Sequence, residues 1–151
     1  MTLGTRFEDA SESTGLLLWQ VTNRWQAAQR AALKPHGLTH VQFVLLASLT
    51  WLSAETDEAV TQRRLADFAA TDPMMTSQVL RTLEAKGWVG RERHASDRRA
   101  ITLAPTGEGR AVVNQAIGAV ESVDEEFFGP LGTRRETFTR SLGALLKRQE
   151  S

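Results

Sequence analysis

The chain has 151 residues, of which 24% are charged and 41% are hydrophobic, and it contains no cysteine. This length and composition predict one soluble globular domain. The lack of cysteine excludes disulfides, thiolate metal ligands and thiol redox chemistry. No apolar run approaches the roughly 18–20 residues of a membrane span, and residues 1–9 lack the features of a signal peptide. We therefore expect a cytoplasmic protein without a membrane partner.

The charges balance at 18 basic and 18 acidic side chains, but they are unevenly distributed. Residues 1–60 contain 4 Lys/Arg and 6 Asp/Glu, residues 61–103 contain 8 and 5, and residues 104–151 contain 6 and 7. An excess of positive charge in the middle segment alone indicates an anionic partner for that segment. A solvated charged surface is the alternative interpretation.

The first half of the chain is predicted to be helical. Apolar residues recur every three or four positions over residues 9–33, which predicts a long amphipathic helix that ends before Pro35. Thr39 is the expected N-cap of a buried helix over residues 41–52, and residues 53–59 are expected to form a polar loop.

Two shorter helices are predicted next. Thr61 is the expected N-cap of the first, whose inner face is predicted to consist of Leu65, Phe68 and Ala69. Asp72 followed by proline is a strong start signal for the second helix, which is predicted to end at Gly87 in a left-handed conformation. The side chains predicted to lie outside on this second helix are Met75, Thr76, Ser77, Gln78, Arg81 and Thr82.

The periodicity then changes to that of strands. Residues 88–93 and 100–103 are strand-like, and the polar, basic turn over residues 94–99 separates them, which predicts a β-hairpin. Two short helices joined by about three residues and followed by a hairpin form a winged helix-turn-helix. We place this module at residues 39–103.

Two further helices are predicted, over residues 106–129 and 133–149. The inner side of the last helix is expected to consist of Phe138, Leu142, Leu145 and Leu146. The apolar stripes of residues 1–38 and 104–151 exceed what the module can cover, so these segments are predicted to be dimerisation helices of a C2 homodimer. The predicted fold is mostly α with a small β-hairpin, in one domain.

The second helix of the pair is the candidate recognition helix. The DNA major groove accommodates one α-helix, and side chains on its N-terminal half contact the base edges. Gln78 can pair with adenine and Arg81 with guanine, while Thr76 and Ser77 are short hydrogen-bonding side chains that permit close approach. An ordinary solvated helix face is the alternative.

The predicted hairpin tip contains Asp97, Arg98 and Arg99. A guanidinium is planar and weakly hydrated, which suits insertion into a narrow minor groove. Asp97 can orient Arg99 by a bidentate pair, and Arg98 is the expected phosphate contact. An ordinary surface ion pair is the alternative.

Three segments resemble one known family: GLTHVQFVLLASL from Gly37, RRLADFAATDPMMTSQVLRTLEAKGWVGRE from Arg63, and SDRRAITLAPTGEGR from Ser96. They are similar to the MarR family of bacterial winged helix-turn-helix transcription regulators. The resemblance implies a triangular homodimer that binds double-stranded DNA. By this resemblance the base-reading positions are Thr76, Ser77 and Gln78, Arg81 contacts base or phosphate, and Arg99 enters the minor groove, oriented by Asp97. The two-fold symmetry of a dimer predicts a pseudo-palindromic operator.

The resemblance also implies a small aromatic or phenolic effector that releases a repressor from DNA. Its pocket is expected between the dimerisation helices and the winged module. The available aromatic side chains are Trp19, Trp25, Phe43 and Trp51, and ordinary core packing is their alternative role. Arg24 and His40 are the candidates to bind a carboxylate.

Metal and cofactor chemistry are not expected. His36 and His40 are four residues apart, but the break after Pro35 separates them, and no further ligands complete a site. The chain has no catalytic motif, so we do not expect an enzyme. Two alternatives to a DNA-binding, ligand-responsive regulator remain: a winged-helix protein-interaction module and a metal-responsive regulator.

Overall fold

The computed structural model describes residues 2–55, 59–93 and 101–150, so the predicted contacts Asp97, Arg98 and Arg99 lie outside the described residues. Its helices are α1 (Thr14–Leu33), α2 (His40–Glu55), α3 (Gln62–Ala69), α4 (Pro73–Ala85), α5 (Gly107–Phe128) and α6 (Arg135–Glu150). Strands β1 (Val60–Thr61), β2 (Val89–Arg93) and β3 (Ile101–Pro105) form an antiparallel sheet in the order β1-β3-β2. The predicted fold class is confirmed.

Capping residues set the ends of the helices in the winged module. The Thr61 side chain accepts a hydrogen bond from the Arg64 N–H at 3.1 Å, and the Asp72 carboxylate accepts one from the Met75 N–H at 2.9 Å. These contacts satisfy N–H groups that have no partner inside the helix. Gly87 has φ of 79° and follows the end of α4. All three predicted signals are confirmed.

Two helix boundaries and one additional strand stand out as differences from the prediction. A short 3-10 turn, Ala10–Glu12, precedes α1, so the α-helix begins at Thr14 after the Ser13 N-cap and not at residue 9. Helix α2 continues to Glu55, although residues 53–59 were predicted to be a loop. Strand β1 was not predicted, because a two-residue strand depends on its pairing with β3, where Val60 lies opposite Leu103.

Helix α2 lies at the centre of the fold and packs against α1, α3, α4, α5 and β3. Thr39 and Gln42 form a reciprocal capping box at its start, with bonds of 3.1 and 3.2 Å between side chain and backbone. The fully buried leucines of the core are Leu33, Leu45, Leu46, Leu49, Leu65, Leu80 and Leu83. The predicted buried character of α2 is therefore confirmed.

Taken one at a time, the helices of the described residues are too short or too polar to cross a membrane. Only α1 with its following turn and α2, bent by 77° relative to each other, meet the length and composition criteria together. In α2, Phe43 and the leucines are buried in the core, whereas Trp51 is exposed.

The start of α5 is packed tightly against the base of the hairpin. The Thr106 N–H donates to the Trp88 carbonyl at 3.0 Å, and the Thr106 hydroxyl donates to the Gly87 carbonyl at 2.7 Å. A Cβ on Gly109 would lie 2.1 Å from the Trp88 carbonyl oxygen. Glycine is therefore required at this position to bring α5 and the hairpin together.

Several apolar side chains predicted to point inward are exposed in the single chain. Leu145 and Leu146 of α6 are each 60% exposed, and Leu142 is exposed as well. Phe68 is 53% exposed, because Ala66 and not Phe68 joins the predicted Leu65 and Ala69 on the inner face of α3. The exposed large apolar residues of α1 are Leu16, Leu17, Leu18, Trp19 and Val21. Helix α6 packs in its own chain mainly against the turn that precedes it, so both terminal helices leave apolar surface uncovered.

Candidate nucleic-acid interface and effector pocket

A tight turn joins α3 to α4. Ala70 adopts the left-handed conformation with φ of 54°, which is uncommon for a residue with a Cβ. Its N–H donates to the Asp67 carbonyl, and the Thr71 N–H donates to the Ala66 carbonyl at 3.0 Å. These bonds end α3 and direct the chain into the Asp72 cap, which fixes the direction of α4.

The prediction that Thr76 contacts DNA is wrong, because its side chain is buried. Its side chain is 0% exposed, and its hydroxyl donates to the Asp72 carbonyl at 2.8 Å and shares a 2.7 Å hydrogen bond with the Thr71 hydroxyl. A buried and bonded hydroxyl cannot reach a base edge. Thr76 has the same i, i+4, i+7 spacing as Leu80 and Leu83 of the core, and that spacing is the sequence signal that was missed.

The other DNA contacts predicted on α4 are Ser77, Gln78 and Arg81, and they lie toward the outer face of the helix. Gln78 and Arg81 are exposed, Ser77 is half-buried, and Thr82 extends the same polar face. Gln78 and Arg81 lie three residues apart, so they are neighbours on the helix surface. This face offers an amide and a guanidinium to a ligand, the two groups with the most specific pairing to purine edges.

The hairpin is connected to both helices of the module through Arg91. The Arg91 guanidinium forms an ion pair with Glu84 of α4, and it lies 3.5 Å from the Gln62 side-chain oxygen at the start of α3. The Arg91 guanidinium, one of the positive charges of residues 61–103, is therefore paired within the protein. Arg63 and Arg81 remain exposed on the outside of the module.

A cavity of about 540 Å³ lies where α1, α2 and the start of α4 meet. A cavity of this size falls in the range of small-molecule sites, roughly 300–1,000 Å³. We call it the α1–α2–α4 pocket. The residues that line it are Trp25, Gln26, Arg30, Thr39, His40, Val41, Val44, Thr71 and Met75.

Two of the predicted effector contacts, Trp25 and His40, line this pocket together. Their rings meet edge to face with centroids 5.0 Å apart. The polar residues Gln26, Arg30 and Thr39 were not predicted as contacts, although the four-residue spacing of Gln26 and Arg30 places them on one face of α1.

The other four predicted contacts do not line the α1–α2–α4 pocket. Arg24 precedes Gln26 by two residues, about 200° around the helix, so Arg30 replaces it as the pocket cation. Trp19 and Trp51 lie on exposed surfaces, and Phe43 is part of the core. The alternative of ordinary core packing is thus correct for Phe43.

The surroundings of His40 disfavour a positive charge. Burial lowers the pKa of the half-buried His40 imidazole below its usual value, and the nearby Arg30 guanidinium lowers it further. The Asp124 carboxylate of α5 acts in the opposite direction. His40 is therefore biased toward its neutral form in the free protein.

A buried polar network supports the wall of this pocket. Asp124 accepts hydrogen bonds from the Trp25 indole N–H at 2.8 Å and from the Gln29 amide at 2.9 Å. The same amide donates to the Val120 carbonyl at 3.3 Å. These bonds connect α1 to α5 and fix the orientation of the Trp25 ring beside His40.

A larger cavity of about 770 Å³ follows α5 but has a different character. Its charged residues are Glu121, Asp124, Glu125, Glu126 and Arg135. The excess of carboxylates repels an anionic ligand, and no residue of α4 lines it. In the described ranges, no group of three or more Asp, Glu or His side chains is placed to hold a metal ion.

A family model described as the MarR family matches residues 38–101. The uncharacterised HTH-type transcriptional regulator YdcH of Bacillus subtilis is 41% identical over 145 residues, which covers 96% of this chain and 97% of YdcH.

Solved structures are similar over nearly the whole chain. CouR from Rhodococcus jostii RHA1, bound to p-coumaroyl-CoA, has a TM-score of 0.80 at 28% identity over 93% of this chain and 96% of CouR. The Mycobacterium tuberculosis MarR family protein Rv2887 has a TM-score of 0.70 in its complex with salicylic acid, at 31% identity. The structure of Rv2887 in complex with DNA has a TM-score of 0.67 at 30% identity. Both of these comparisons cover 91% of this chain and 98% of the other.

Proposed function

Because this chain belongs to the MarR family of transcription regulators, we propose that it is a homodimeric repressor that a small aromatic carboxylate releases from a pseudo-palindromic operator. The observation that carries the DNA-binding part is the outer face of α4. Gln78 and Arg81 project from a helix whose start is fixed by Asp72 and whose far end is connected to the hairpin through Glu84 and Arg91. Such a face is suited to the major groove.

The proposal assigns direct base contacts to Gln78 and Arg81, with Ser77 beside them. Thr76 is reassigned as the residue that secures the start of the recognition helix. The hairpin contributes Arg99 to the minor groove, oriented by Asp97, and Arg98 to phosphate, as the sequence predicts. A solved complex of the related protein Rv2887 with DNA supports DNA as the partner of this fold.

The dimer is proposed from the uncovered apolar surface of the terminal helices. A single chain leaves the leucines of α6 and residues Leu16 to Val21 of α1 exposed. Burial of apolar surface contributes about 25 cal/mol per Å², so a second copy packed on these stripes gains substantial stability. A C2 arrangement covers both stripes at once.

The effector part rests on the position of the α1–α2–α4 pocket. Its aromatic wall and the Arg30 guanidinium are suited to a flat ring with a carboxylate. Thr71 and Met75 of the turn and the recognition helix form the opposite side. A bound ligand therefore contacts both a dimerisation helix and the start of α4, and it can change the separation of the two recognition helices. The Rv2887 structure contains salicylic acid, which is of this chemical class, and the CouR structure contains p-coumaroyl-CoA, whose aromatic acyl group is a thioester instead of a carboxylate.

Selection of genomic fragments by the purified full-length protein tests the DNA-binding proposal. We expect enrichment of a pseudo-palindrome whose half-sites are about 10 base pairs apart, centre to centre. The Arg81→Ala variant should lose this enrichment, whereas Gln115→Ala, an exposed change on α5, should retain it. A wild-type protein that enriches no sequence would favour the protein-interaction alternative.

A further inference from the structure

The effector pocket contains a histidine whose role is not explained by shape alone. His40 is the first residue of α2, and it lines the α1–α2–α4 pocket beside Trp25 and Arg30. We propose that binding of an aromatic carboxylate in this pocket is coupled to the uptake of one proton by His40. This inference rests on the effector pocket proposed above and adds a pH dependence to it.

The charged groups around His40 explain why the imidazole is neutral before a ligand binds. Arg30 of α1 is the cation that acts on it, and Asp124 of α5 is the anion. The pocket residues of the turn and α4, Thr71 and Met75, carry no charge, and neither do the neighbouring Val41 and Val44 of α2. Burial and Arg30 together outweigh Asp124, and they lower the pKa of His40.

Asp124 cannot easily turn toward His40 to change this balance. Its Oδ1 atom already accepts hydrogen bonds from Trp25 and Gln29, at 2.8 and 2.9 Å. The negative charge is thus held on the α5 side of the Trp25 ring. A new negative charge next to His40 must come from a ligand.

A ligand carboxylate shifts the preference of His40 from the neutral imidazole to the imidazolium. Placed between Arg30 and His40, it compensates the guanidinium charge and offers an acceptor to an imidazolium N–H, so the charged form of His40 becomes favourable. The proton comes from solvent and resides on an imidazole nitrogen.

Linkage then predicts how affinity changes with pH. The bound state holds one more proton than the free state over the range between the free and bound pKa values of His40. In this range the affinity for a carboxylate falls as pH rises, by up to tenfold per pH unit. A neutral amide of the same shape lacks this dependence, because it does not favour the imidazolium.

Isothermal titration calorimetry of the wild-type protein tests the proposal with benzoate, salicylate and 4-hydroxycinnamate, and with benzamide and salicylamide as neutral analogues. Titrations in phosphate and in Tris at one pH near neutrality give the number of protons taken up. We expect uptake with the carboxylates, none with the amides, and none with carboxylates in His40→Gln. The matched control His36→Gln alters a histidine outside the pocket and should keep the wild-type uptake.

An NMR titration of the wild-type protein tests the same proposal without relying on the folding of His40→Gln. The imidazole C–H resonance of His40 should titrate at a higher pH with salicylate bound than without it. Carboxylate binding without proton uptake, or with equal uptake in wild type and a folded His40→Gln, would overturn the inference and leave the effector pocket intact. If none of the three carboxylates binds, both the effector proposal and the inference are wrong.

Discussion

The hydroxyl groups of Thr71 and Thr76 share a hydrogen bond of 2.7 Å that joins the turn before α4 to the first turn of that helix. Thr71 also lines the α1–α2–α4 pocket. The pair therefore connects the proposed effector site to the recognition helix through one direct contact. A change in the position of Thr71 is transmitted to the residues that precede Ser77 and Gln78.

Replacing Thr76 by valine tests this connection. The change keeps the shape of the side chain but removes its bonds to Thr71 and to the Asp72 carbonyl, so we expect a loss of about 1–2 kcal/mol in the free energy of unfolding. Urea denaturation measures this loss. Thr82→Val is the matched control, because its hydroxyl is on the exposed face, and it should change stability by less than about 0.5 kcal/mol. Equal effects of the two changes would contradict the structural role of Thr76.

Gln78→Ala should relax sequence preference. A lost bidentate contact to a base costs about 1–3 kcal/mol of discrimination, while non-specific affinity depends on phosphate contacts and stays close to that of wild type. Fluorescence anisotropy on the selected operator and on random DNA gives both affinities. Gln115→Ala serves as the control on α5. If Gln78→Ala weakened binding to both DNAs equally, its assignment as a base contact would be wrong.

Gly109→Ala should destabilise the protein by at least about 2 kcal/mol, because the added Cβ meets the Trp88 carbonyl oxygen, a backbone atom that cannot rotate away. The same change at Gly118, also in α5, meets nothing within 4 Å. That variant should be as stable as wild type or more stable by up to about 1 kcal/mol, since alanine has the higher helix propensity. Thermal and chemical denaturation of the two variants compares them directly.

Leu145→Glu should weaken the proposed dimer. The side chain is exposed in the single chain, so the change does not disturb the chain's own core, but it places a charge in the apolar stripe of α6. We expect the dimer dissociation constant to rise at least tenfold, a change of about 1.4 kcal/mol. Analytical ultracentrifugation at micromolar concentration measures it. Leu3→Glu, an exposed leucine outside the helices, is the control, and a wild-type protein that sediments as a monomer would refute the dimer itself.

Acid should destabilise the protein in part through His40. The folded state holds a proton on this residue less readily than the unfolded state, whose histidines titrate near the ordinary value of 6.5. Stability contributed by the neutral imidazole is thus present above that pH and is lost as the pH falls through the unfolded and then the folded pKa. His40→Gln should show a shallower loss of unfolding free energy on acidification than wild type.

Local chemistry explains which parts of the fold were predictable. The caps at Thr61 and Asp72 and the left-handed Gly87 depend on a few adjacent residues, so the sequence predicts them directly. Strand β1 depends on distant pairing, and the exposure of Phe68 depends on which side of α3 meets α2. Neither is determined locally. The leucines of α6 are exposed in the single chain, and in the proposed dimer a second copy covers them, so their environment does not follow from local sequence.

In the candidate site, too, features set by local sequence were predicted and features set by tertiary packing were not. Gln78 and Arg81 were predicted correctly as exposed, because the outer face of α4 follows from helical periodicity. Thr76 was assigned by its polarity instead of its position, and the core spacing overrides the polarity once the hydroxyl finds backbone and side-chain partners. Arg24 and Arg30 cannot be distinguished as ligand contacts by composition. Only the position of α2 beside α1 determines which of them faces the pocket.

The contact between Gly109 and Trp88 also bears on how such regulators can be re-engineered. The hairpin contacts α5 where the Trp88 backbone packs against Gly109. The α1–α2–α4 pocket is lined instead by Thr71, just before α4, and by Met75 of α4. A graft that transfers only the hairpin from a relative would separate Trp88 from the glycine it requires. The block for exchange therefore extends from Trp88 through the first turn of α5, and the host has to keep Glu84 and Gln62 as the partners of Arg91. Transplanted as one block, it would allow minor-groove preference to be altered while effector response is retained.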